Sequence, residues 1–145
     1  MKQPVSQPIN NKALENDICR LVLMHLPDAK LIYLFGSVAD NRQTPKSDID
    51  IAVHCDRKLN PIERWDISAA LADSLGKSVD LVDLVSASVV MQSQITTKGI
   101  CLYDPHNYAD EFTMIVMSMY QNLNIERAQI LSRFGSDHFG SNNSG

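Results

Sequence analysis

The stretch that most limits what this chain can fold into is Leu31 to Val53, LIYLFGSVADNRQTPKSDIDIAV. It opens on an apolar β-prone run, Leu31-Ile32-Tyr33-Leu34-Phe35, and closes that run with Gly36-Ser37. Ten residues later Asp48 and Asp50 alternate with Ile49, Ile51 and Val53. A period of two marks a half-buried strand. The three β-branched residues share one face and the two carboxylates share the other.

Two aspartates on one strand face stand about 7 Å apart by strand rise. They repel each other unless a cation lies between them. Hard oxygen donors of this kind suit Mg²⁺, which completes its shell with waters and substrate phosphates. Gly36 ends a strand and lets backbone approach a ligand closely. Ser37 offers a hydroxyl, and the amides after it can face a phosphate from the start of a short helix. One strand end supplies a phosphate cradle and the next supplies metal ligands, which implies a site for a metal–nucleoside triphosphate. Either half alone is weak, since a D-x-D is often a solvated surface pair and a Gly-Ser is often a turn. Their order and spacing carry the reading.

Gly36-Ser37, ten residues, then Asp48-Ile49-Asp50 resembles the G-S-x10-D-x-D signature of the DNA polymerase β-like nucleotidyltransferases, and within them the minimal nucleotidyltransferase (MNT) group. The likeness covers roughly residues 14–103. It implies an α/β (α+β) fold: a small mixed, mostly antiparallel sheet, helices on one face, the carboxylates on the open face, and a long C-terminal helix. It also implies two Mg²⁺ ions on the pair Asp48 and Asp50, ATP as co-substrate, and a third carboxylate from a later strand. The run Ser78–Leu84, SVDLVDL, offers Asp80 and Asp83 on opposite faces. The family pattern selects Asp80, leaving Asp83 to bond local backbone. Gly36 and Ser37 are then the triphosphate-binding residues. Val38, Asp40 and Asn41 stand where many relatives carry Arg, Arg and Gly, which removes positive charge beside the triphosphate.

The minimal members resemble the antitoxin half of HEPN/MNT toxin–antitoxin pairs. There the MNT protein transfers AMP from ATP to a tyrosine of a HEPN ribonuclease toxin and silences it. The resemblance therefore implies an Mg-dependent protein adenylyltransferase whose partner is a cognate HEPN toxin. Three alternatives stand beside it: a small-molecule (aminoglycoside-type) nucleotidyltransferase, an antitoxin acting by binding alone, and an RNA-end transferase. The last is disfavoured by a net charge of −4 and a pI near 5.4, which leave no broad basic face for a polyanion.

The rest of the chain reads as one domain. Its 145 residues, 44% hydrophobic and 21% charged, suffice for a core. No stretch reads as a signal peptide, and no apolar run nears the ~18 residues of a membrane span, which points to the cytoplasm. Cys19, Cys55 and Cys101 read as reduced thiols filling core. Residues 1–10 form a flexible arm, 11–134 the nucleotidyltransferase domain, and 135–145 a flexible Gly/Ser/Asn tail. Leu14, Ile18, Leu21, Val22 and Leu26 recur at helical spacing, with Asn10 or Asn11 as cap and Pro27 as stop. Arg42 and Lys46 lie in a polar loop, solvated or reaching triphosphate oxygens. Asn60-Pro61-Ile62-Glu63 starts a helix ending at Gly76, with Trp65 as a core anchor. Ser86 caps a helix over 87–98, and residues 100–103 form a fourth strand. Asp104-Pro105 opens a long helix to about 134, whose surplus apolar surface, including Met114, Met117 and Tyr120, wraps the domain or meets a partner.

Overall fold

Alternation in the strands decides which side chains meet, and in the run LIYLF both alternate sets are apolar. The computed structural model describes residues 11–39 and 48–134, with the side chains of Asn11, Ser37, Val38 and Phe134 excepted. The elements are α1 (Asn11–His25), β1 (Leu31–Phe35), α2 (Gly36–Ala39), β2 (Ile49–His54), α3 (Pro61–Leu75), β3 (Val79–Asp83), α4 (Val89–Lys98), β4 (Ile100–Tyr103) and α5 (Ala109–Phe134). The expected arm over 1–10, the loop with Arg42 and Lys46, and the tail over 135–145 lie outside the described residues.

The four strands form one mixed sheet in the order β3-β2-β1-β4. β1 runs antiparallel to β2 and to β4, while β2 and β3 are parallel. The mixed, mostly antiparallel sheet is as expected. The helices, however, cover both faces rather than one. On the first face Ile18, Val22 and Leu26 of α1 and Ile67 and Leu71 of α3 pack on Ile32, Leu34, Ile49, Ile51 and Leu81. On the second, Ile95 of α4 and Phe112 and Val116 of α5 pack on Leu31, Tyr33 and Ala52. The continuous run LIYLF is the physical reason, since a strand with apolar residues at every position needs cover on both sides.

Three local readings are corrected. Trp65 is not a core anchor: it is 74% exposed. The buried stripe of α3 is Ile67 and Leu71, four apart, and Trp65 lies about 200° round the helix from Ile67. The cap of α4 is Ser88, whose Oγ accepts from the Met91 amide at 3.1 Å. Ser86 instead donates to Asp83 Oδ2 at 2.7 Å, which holds the chain in a turn after β3. Pro105 is not in the first turn of α5. Asp104 reaches forward to accept from the amides of Tyr108 (2.7 Å) and Ala109 (3.0 Å), so the helix begins at Ala109. Of the cysteines, Cys55 fills core as expected and Cys101 is exposed; all three are free.

At the end of β2 away from the aspartates, His54 is buried between the rings of Tyr108 and Phe112, centroids 5.3 and 4.9 Å away. Its Nδ1 has no hydrogen-bond partner among the described residues. Burial first, and then the nearby Lys30 ammonium, push its pKa below the ordinary value, against weaker pulls from Asp56 and Asp83. The folded ring stays neutral where the unfolded chain takes a proton near pH ~6.5. This contribution to stability is complete above that value and is lost as pH falls below it. The melting temperature should therefore drop between about pH 7.5 and 5.5, and His54→Phe should shrink the drop. An equal drop in the variant would contradict this.

Candidate active site

The site is built where β1 ends and β2 and β3 begin. In the β1–β2 ladder Phe35 stands opposite Asp50, so Gly36 is the first residue past that pair. Gly36 has φ +78°, in the left-handed region. A Cβ there would land on Asp50 Oδ2, so only glycine leaves room for that carboxylate. Ser37 follows in the short helix α2, with its side chain outside the described residues.

In the parallel β2–β3 ladder Asp50 is in register with Asp80. Asp48 is exposed just before β2. Burial, then Asp80, then Asp48, raise the Asp50 pKa above the ordinary carboxylate value. The structure thus brings together four of the five residues the sequence singled out, Gly36, Asp48, Asp50 and Asp80, and puts the fifth, Ser37, next in the chain to Gly36. Asp83 faces the other way and is 6% exposed. It accepts from the Leu59 amide (2.9 Å), the Val85 amide (3.1 Å) and Ser86 Oγ (2.7 Å), which makes it a tie between loops.

Asp50, its proton affinity raised by burial and then by Asp80 and Asp48, forms with those two carboxylates a donor set suited to Mg²⁺. Among the described residues no three His, Cys, Asp or Glu side chains are gathered closely enough to hold an ion as they stand, so a cation would have to draw the three together.

A cavity of about 560 Å³ opens beside Gly36. Phe35 and Gly36 form one wall; Val90, Met91, Gln94 and Lys98 of α4 form the other. Its size is that of a site for a cofactor-sized molecule. Sequence reading missed this wall. Met91, Gln94 and Lys98 share a helix face at i, i+3, i+7 spacing, but nothing local says which surface that face meets.

A mixed sheet that sets aspartates from two neighbouring strands beside a strand–Gly-Ser–helix turn is the framework of a nucleotidyltransferase. The chain belongs to the family described as Polymerase beta, Nucleotidyltransferase, whose profile matches residues 18–108. It is 43% identical over 117 residues to the protein adenylyltransferase MntA of Shewanella oneidensis, covering 81% of this chain and 84% of that one. Among solved structures it resembles a chain from a toxin–antitoxin crystal structure with AMP-PNP, with TM-score 0.77, 42% identity, and coverage of 82% of this chain and 96% of that one. It also resembles a chain from the complex of the tri-AMPylated Shewanella oneidensis HEPN toxin with its MNT antitoxin, with TM-score 0.72, 39% identity, and coverage of 84% and 96%. Among the described residues no helix is long and apolar enough to cross a membrane.

Proposed function

We propose that this chain is an antitoxin that transfers AMP from ATP to a hydroxyl of a cognate HEPN toxin and so neutralises it. The observation that carries the reading is the 43% identity, across four fifths of the chain, to a protein adenylyltransferase. The carboxylate trio beside Gly36 supports the chemistry. Asp48, Asp50 and Asp80 would hold two Mg²⁺ ions. When bound, these supply neutralisation of phosphate charge and a lowered pKa for the acceptor hydroxyl. Gly36 and Ser37 bind the outer phosphates. Asp80 takes the proton of the acceptor hydroxyl. The acceptor oxygen bonds to the α-phosphorus, the bond from that phosphorus to the bridging oxygen breaks, and pyrophosphate leaves with the electron pair.

The acceptor is a tyrosine of the partner. Its docking surface is on α5, where Met119, Ile125, Ile130 and Leu131 are exposed. Docking supplies by proximity the acceptor that this chain lacks. Intact-mass spectrometry of the neighbouring gene product, after incubation with this protein, ATP and Mg²⁺, should show gains in whole adenylate units. A partner neutralised without any mass gain would mean inhibition by binding alone. An aminoglycoside gaining the nucleotide instead would favour the small-molecule reading.

A further inference from the structure

The cavity between β1 and α4 has an apolar stretch, Phe35, Val90 and Met91, and a single basic residue among its described lining, Lys98. Lys98 is exposed and has no ion-pair partner among the described residues. Its position in the last turn of α4 is fixed by the next residue. Gly99 packs so tightly under the sheet that a Cβ there would stand 3.2 Å from the Leu34 carbonyl oxygen. Ile100 then pairs with Leu34 in the β1–β4 ladder. The last turn of α4 is therefore pinned to the end of β1, two residues from Gly36 and the Asp50 carboxylate beyond it. An ammonium with no carboxylate partner among the described residues, lining a cavity whose opposite wall is Gly36 with the Asp50 carboxylate against it, suits a strongly anionic group entering between them. A phosphate chain is such a group, and lysine binds it as a point charge.

We propose that Lys98 is a phosphate-binding residue of the nucleotide site. It contacts the β- and γ-phosphates, the part that leaves as pyrophosphate, while Phe35, Val90 and Met91 enclose the nucleoside. Lys98 thereby selects triphosphate over monophosphate. This rests on the nucleotidyl-transfer reading of the same site.

The test measures binding of ATP and of AMP to the full chain at fixed Mg²⁺ by calorimetry, for wild type, Lys98→Met and Lys98→Arg. Wild-type transfer to the partner is assayed alongside. Lys98→Met should weaken ATP binding about tenfold or more and leave AMP binding unchanged, since one charge-assisted contact is lost. Lys98→Arg should retain most of the ATP affinity. Unchanged ATP affinity in Lys98→Met, or an equal loss for ATP and AMP, overturns the proposal. A wild type that binds ATP but transfers nothing overturns the adenylyl-transfer reading, and leaves the Lys98 comparison readable from binding. A wild type that binds neither nucleotide overturns both.

Discussion

Asp50→Asn should abolish adenylate transfer and leave the protein folded. Asp50 stands at the centre of the acidic trio, in register with Asp80 on β3 and two residues after Asp48. Its raised proton affinity, from burial first and then from Asp80 and Asp48, shows a carboxylate under repulsion from its neighbours. The amide has nearly the same shape and removes one of the repelling charges. The melting temperature should therefore hold steady or rise slightly. Catalysis should fare very differently. Charge stabilisation by site-bound metal is worth several kcal/mol, so losing a ligand should slow transfer on the order of a thousandfold. Thermal melting and intact-mass spectrometry of the partner read the two quantities separately. Transfer at the wild-type rate would remove Asp50 from the metal site, whatever the melting temperature did.

Gly36→Ala is expected to cost both stability and activity, and Gly76→Ala is its control. The two glycines have nearly the same backbone, φ +78° and +71°. At Gly76, the C-cap of α3, a Cβ meets nothing within 4 Å. There the loss should be about 1 kcal/mol of stability from left-handed strain, with no change in transfer. At Gly36 the same strain applies, and the methyl must also displace the Asp50 carboxylate. Moving a catalytic group by about 1 Å costs on the order of a hundredfold. Transfer should fall by at least that much in Gly36→Ala. If the two variants behave alike, Gly36 serves only the turn.

The sequence carried the local half of this site clearly. Asp48, Asp50 and the isoleucines between and after them obey a period of two, and a period of two has one structural meaning. The strand end at Gly36 was equally legible. The choice of Asp80 over Asp83 needed the resemblance, because both residues lie on a strand and alternation says only that they face opposite ways. What separates them is a ladder between residues thirty positions apart, Asp50 with Asp80, and no local signal encodes such a pairing. Trp65 lies outside the core because the inward stripe of α3 is set by the i, i+4 spacing of Ile67 and Leu71, which the sequence already carries. Ser86 and Ser88 are both competent caps. The outcome turned on Asp83, which captured the first and left the second to α4. The cover on both faces could have been read from LIYLF, whose unbroken apolar run does not fit a strand with one wet side.

The parallel pairing of Asp50 with Asp80 has a consequence for how such a site can vary. Strands in a sheet stand about 4.8 Å apart whatever their sequences. The gap between these two carboxylates is thus gauged by backbone hydrogen bonds rather than by the segments that join the strands. The residues over 55–78 that link β2 to β3, helix α3 included, can change in sequence without re-spacing the pair. A chain built this way can trade its outer surfaces for new partners while the spacing of its paired carboxylates stays constant.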